Sequence, residues 1–159
     1  AKAKNAVTTL SNLLRKSLIM GKENLVTIES ELLMVSNYLE LEKIRFEERL
    51  SVPWDIDDRL NSFLIPPFCL QMLVENAIKH GISNIVDGGE VIIRTSRSNG
   101  NVEISVSNSG QLGKNSDTGI GIANTRRRLD IQYNGKAEFV LKQQENSVVA
   151  TLIFNDEDI

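Results

Sequence analysis

The pair Asn99-Gly100 separates two runs that alternate in polarity, Val91 to Arg97 and Val102 to Asn108. In the second run Val102, Ile104 and Val106 point one way, and Glu103, Ser105 and Ser107 the other. Asn-Gly between alternating runs is the strongest short-range signal for a tight antiparallel hairpin. Phe139 to Lys142 and Val148 to Phe154 read as a second hairpin. A sheet with one apolar and one polar face must be covered on the apolar side.

Helical segments supply the cover. Pro66 and Pro67 stand where a helix can begin, and Gly81 is a natural stop. Ile122 to Tyr133 is a second such helix, ended by Asn134-Gly135. Nearer the start, Val7, Leu10, Leu14 and Leu18 lie at helical spacing, with Leu13 adding width, and Gly21 breaks the pattern. Thr27 is placed to cap a further helix over 28–48, with Glu29 and Glu31 near its positive end. Its stripe is Ile28, Leu32, Val35, Leu39 and Phe46. The two N-terminal helices form a hairpin that packs on its own domain or on a twin chain. Leu50, Val52 and Trp54 read as one short strand. The expected fold is α+β: a two-layer α/β sandwich of about five strands and two helices, preceded by a helical hairpin. Residues 1–48 are the hairpin and linker helix, and 49–159 the sheet domain.

At 159 residues the chain is about one domain, and 41% hydrophobic residues are enough for a core. A net charge of -3 does not suggest a nucleic-acid binder. A single cysteine, Cys69, cannot form an internal disulfide and reads as a buried small hydrophobe. The longest uncharged run, Leu60 to Val74, is broken by prolines and too short to span a bilayer as a helix. No signal peptide is evident in Ala1 to Met20, so a cytoplasmic location is expected. The first residue is Ala, and the chain reads as a piece of a longer protein. A P-loop is absent, as is a G-x-G-x-x-G after a strand, so any nucleotide site is of another design.

Three segments carry candidate chemistry. In FCLQMLVENAIKHG (68–81), Leu70, Leu73, Val74, Ala77 and Ile78 define a buried face. Asn76 and Lys79 then point away from it, with His80 on the flank. An amide oxygen is acceptable to Mg²⁺ beside phosphate oxygens, and an ammonium suits the phosphates themselves. The plain alternative is the wet face of an amphipathic helix. In VSNSG (106–110), Asn108 leaves a strand and Gly110 permits a turn. In TGIGIANTRRRL (118–129), Gly119 and Gly121 flank a helix start, where backbone amides accept anions. Each of the last two is, by itself, an ordinary turn. Arg126 to Arg128 fan around their helix, which favours a solvated or phosphate-facing role over a nucleic-acid patch.

The order of these segments resembles the ATP-binding domain of the gyrase, Hsp90, histidine-kinase and MutL (GHKL) superfamily. The likeness is closest to sensor histidine kinases of the LytS/YehU type. It is carried by VTIESELLMVSNYLELEKIRF (26–46), IPPFCLQMLVENAIKHG (65–81) and GIGIANTRRRL (119–129), and it extends over nearly the whole chain. The resemblance implies a nucleotide site of Asn76, Lys79, His80, Asn108, Gly110, Gly119, Ile120 and Gly121. In it Asn76 would coordinate Mg²⁺, Lys79 would contact phosphate, and His80 would lie beside the nucleotide. Gly110 would belong to the first glycine box, and Gly119 and Gly121 to the second. Residues 111–118 would be a short lid over ATP.

Two departures from the family pattern stand out. The adenine-reading position, usually Asp, is Asn108, which can accept from the adenine amino group but without charge. One turn before Asn76, where ATP-hydrolysing relatives place a glutamate, stands Met72, which cannot serve as a base. The lone histidine, His80, lies in the nucleotide motif, so the phosphoacceptor histidine is expected before residue 1. The resemblance further implies a response-regulator partner, a homodimer in the full-length protein, and inner-membrane anchoring through regions outside this sequence. The alternatives are an anti-sigma-type serine kinase on the same fold, and a nucleotide-binding or dimerisation module without catalysis.

Overall fold

The computed structural model describes residues 1–113 and 120–156, with the side chains of 120 and 121 left aside. Helix α1 spans Lys2–Met20 and α2 spans Ile28–Phe46, with the two-residue strand β1 (Val26–Thr27) between them. Thr27 caps α2 as its type and place require: Oγ1 accepts from the Ser30 amide at 3.2 Å. The helix ends at Phe46, two residues before the expected limit. The stripe Val7, Leu10, Leu14 and Leu18 is not what docks α1. Those four are 64%, 46%, 58% and 73% exposed, whereas Met20 joins the core and Leu13 packs against it.

Beyond α2 the order is β2 (Leu50–Ser51), β3 (Trp54–Asp55), β4 (Leu64–Ile65), α3 (Cys69–His80), β5 (Gly89–Ser98), β6 (Asn101–Ser109), α4 (Ile120–Tyr133), β7 (Ala137–Gln144) and β8 (Ser147–Asn155). The single strand expected around Leu50 to Trp54 is two short ones, both parallel to β5. Pro53 lies between them, where a ring nitrogen has no proton to give a ladder. Strands β1 and β4 pair antiparallel in a small separate sheet that two-residue elements give no periodicity to reveal. The main sheet runs β2-β5-β6-β8-β7, with β3 also on β5.

Both expected hairpins are present. Asn99 and Gly100 have φ of 52° and 75°, the mirror-image turn that suits strand twist. Register carries the apolar positions into rows across the sheet. One row is Thr95, Ile104, Leu152 and Phe139, and the next is Ile93, Val106, Ala150 and Leu141. Against this face lie Leu70, Leu73, Val74, Ala77 and Ile78 of α3, and Ile122 and Leu129 of α4, all in one core. The two-layer sandwich follows from this arrangement, and it leaves one end of the sheet to form a site.

Candidate active site

The row at that end of the sheet is Val91, Asn108, Val148 and Gln143. Asn108 and Gln143 thus lie on the same side of the sheet, two strands apart, with Gln143 exposed. Asn108 is only 8% exposed. Its Nδ2 donates to the Ser109 carbonyl at 2.9 Å, which leaves Oδ1 as the acceptor of that amide. Immediately beyond, Gly110 has φ of +122°, a backbone conformation that L side chains rarely adopt.

Gly81, at the end of α3, lets the helix lie directly against Asn108. A Cβ at that position would fall 2.3 Å from Asn108 Nδ2 and 2.6 Å from the Ala77 carbonyl. The glycine that stops the helix is therefore also the space in which the amide sits.

A cleft opens between α3, the first turns of α4 and this end of the sheet. Asn76 and His80 of α3 and Asn108 of β6 line it together with Leu73, Ala77, Ile122 and Phe139. At about 100° per residue, His80, Leu73 and Ala77 follow Asn76 round one side of the helix. Lys79 falls about 60° to the other side. It is exposed and does not line the cleft. Gly110 adjoins Asn108 at the strand end. Ile120 and Gly121 form the first residues of α4, and Gly119 and the 114–118 part of the expected lid lie outside the described residues.

Met72 does not line the cleft. Its sulfur accepts from the Thr125 hydroxyl at 2.9 Å, tying α3 to α4, and its other side faces a groove between α1, α2 and α3. Cys69 is buried with its thiol on the Pro66 carbonyl at 2.7 Å, and burial pushes its pKa up, away from reactivity. The three consecutive arginines do fan out. Arg126 lies over the Phe139 ring, Arg127 is exposed, and Arg128 donates to the Pro67 carbonyl.

Two contributors are not legible from the motifs. Gln143 accepts from the Leu112 amide at 2.6 Å and donates to the carbonyls of Gln144 and Ser147. It thereby pins the chain leaving Gly110 to the end of β7. Glu31 is the second, and it does more than neighbour the positive end of α2. Its carboxylate turns into the core, fully buried, and accepts from the amides of Phe68 (2.5 Å), Leu70 (3.0 Å) and Gln71 (3.2 Å). Burial holds its pKa above the ordinary 4.5, although these amides and Arg128 pull the other way. Its signal in the sequence is position: Glu31 falls three residues after Ile28 and four before Val35, on the apolar stripe.

The profile of the histidine kinase family matches residues 1–50. The sensor protein LytS of Staphylococcus saprophyticus is 33% identical over 98% of this chain, which covers 29% of that relative. The chain belongs to the sensor histidine kinase family. The catalytic domain of histidine kinase ThkA shares its fold, with a TM-score of 0.61 at 14% identity over 83% of this chain and 94% of that one. ThkA has also been solved with the response regulator TrrA; that structure has a TM-score of 0.60 at 15% identity over 96% of this chain and 49% of that one. Full-length ShkA, solved with AMPPNP, has a TM-score of 0.58 at 18% identity over 94% of this chain and 35% of that one. This family member spans 29% of its LytS relative, and among the described residues no helix is long and apolar enough to cross a membrane.

Proposed function

We propose that this chain is the ATP-binding catalytic part of a LytS-type sensor histidine kinase. It holds Mg-ATP and presents the γ-phosphate to a histidine on a segment outside this sequence. From that histidine the phosphoryl group passes to an aspartate of a response regulator. The observation that carries the reading is the convergence of Asn76, His80 and Asn108 on one cleft, at the end of the sheet where α4 begins.

The residues present suit the nucleotide. Asn108 has its nitrogen committed to Ser109 and an oxygen to offer an exocyclic amino group. The apolar lining from Leu73, Ala77, Ile122 and Phe139 suits a purine ring. The amides opening α4 suit phosphate oxygens. No cluster of three or more His, Cys, Asp or Glu stands ready for a metal among the described residues. Mg²⁺ keeps most of its waters and leans on substrate phosphates, so Asn76 suffices as its protein ligand. Mg²⁺ bound there would neutralise phosphate charge. Lys79, outside the cleft, adds its charge to the phosphates from the exposed side. Phosphoryl transfer demands little covalent chemistry of the protein, so positioning and charge are its contribution.

Residues 1–48 serve as the dimerisation and linker helices, and 49–159 as the catalytic domain. The exposed stripe Val7, Leu10, Leu14 and Leu18 suits a second copy in the full-length homodimer. The catalytic part works in the cytoplasm, with the full-length protein anchored in the inner membrane.

Titration with a fluorescent ATP analogue tests the site. Binding should require Mg²⁺ and be lost or severely weakened in Asn76→Ala. Equal, Mg²⁺-independent affinity in the two proteins would remove the assignment.

A further inference from the structure

Helix α3 carries Asn76 and His80, yet its first turn has no cap of its own. Its N-cap residue is Phe68, with left-handed φ of 67° and no side chain able to accept. The opening amides of a buried helix need acceptors. Here the acceptor comes from 37 residues away in sequence: both Glu31 oxygens are engaged, one by Phe68, the other by Leu70 and Gln71. Arg128 of α4 closes the arrangement. It donates to the carbonyl of Pro67, immediately before the cap, and its charge is felt at Glu31. The Glu31 carboxylate thus joins α2 to the start of α3, and Arg128 ties α4 to the residue just before that start.

We propose that Glu31 is a positioning residue of the nucleotide site, fixing the start of α3 and with it the placement of Asn76 and His80. The inference rests on the ATP reading of the cleft for its consequence, and on the three amide bonds for its geometry. A helix transmits position along its length because its own hydrogen bonds keep it stiff, and Gln71 to Asn76 is about 7.5 Å of rise. The far end of α3 is seated separately, by Gly81 against Asn108. Release of the near end lets the helix tilt about that seat and swings Asn76 most directly. Since Glu31 belongs to α2, the seating of the helical hairpin and the geometry of the cleft are linked through it.

The test compares wild type with Glu31→Ala, Glu31→Gln and Glu31→Asp at a temperature where circular dichroism shows each folded. Hydrogen exchange is read over 68–80 and over the β5–β6 hairpin, and affinity by titration with the fluorescent ATP analogue and Mg²⁺. The expected result for Glu31→Ala is lost protection in 68–80 with the hairpin unchanged, and affinity weaker on the order of tenfold. Glu31→Gln should recover part of both, since one oxygen remains to accept, and Glu31→Asp, one carbon short, should recover less. Where Glu31→Ala does not fold, the other two variants carry the comparison. Unchanged affinity in folded variants, even with lower melting temperature, would overturn the proposal. Should wild type itself fail to bind the analogue, the ATP reading falls, and selective loss of protection in 68–80 still decides for or against Glu31.

Discussion

Gly81 and Asn108 occupy one space: a Cβ on the glycine would stand 2.3 Å from the asparagine's Nδ2. The end of α3 and the end of β6 can meet only because one of them has no side chain. Gly81→Ala should therefore displace Asn108 or push α3 off the sheet. Overpacking of this kind costs about 1–3 kcal/mol. Thermal unfolding should show that loss, and nucleotide titration should show weaker binding in the variant that remains folded. A variant as stable as wild type with unchanged affinity would mean that the contact is slack.

Asn108 Oδ1 is the acceptor left after Nδ2 bonds to Ser109. It matches the amino group of adenine and not the carbonyl of guanine. A mismatched buried pair costs about 1–3 kcal/mol, or roughly 5- to 150-fold in affinity. Competition of ATP and GTP for the labelled analogue reads this directly. Equal competition would make Asn108 a turn residue without a reading role.

Glu31 also predicts a pH dependence of stability. Desolvation raises its pKa in the folded chain above the 4.5 of the exposed group, so the fold binds its proton more tightly than the unfolded chain does. That contribution is present below about pH 4.5 and is lost as pH rises through the folded value. Melting temperatures of wild type relative to Glu31→Gln should accordingly fall as pH rises from 4 toward neutrality. A constant difference across the series would show that the amides and Arg128 cancel the burial.

Much of this was legible in the chain. Alternation around Asn99-Gly100 gives the central hairpin because a half-buried sheet imposes a period of two. Helical spacing gives α3 and α4, and the type of Thr27 gives its cap. The motif order places Asn76, His80 and Asn108 within one family pattern, and the fold brings all three to one cleft. Strands of two residues are too short to show a period, so β1, β4 and the break at Pro53 stay hidden. From the sequence Glu31 reads only as a partner to the dipole of its own helix, since nothing local shows that Phe68, Leu70 and Gln71 lack acceptors. Gln143 gives no signal at all: only register sets it in one row with Asn108, two strands away.

Phosphoryl transfer from this cleft needs an acceptor histidine other than the one that lines it. The chain has one histidine, His80, and it lines the cleft that is to hold the nucleotide. Incubation with ATP labelled at the γ-phosphate, alone and with a separately made phosphoacceptor helix from a LytS relative, tests this directly. Acid-labile label is expected on the added helix and none on this chain. Stable label at His80, or label on a serine of a partner protein, would contradict that expectation.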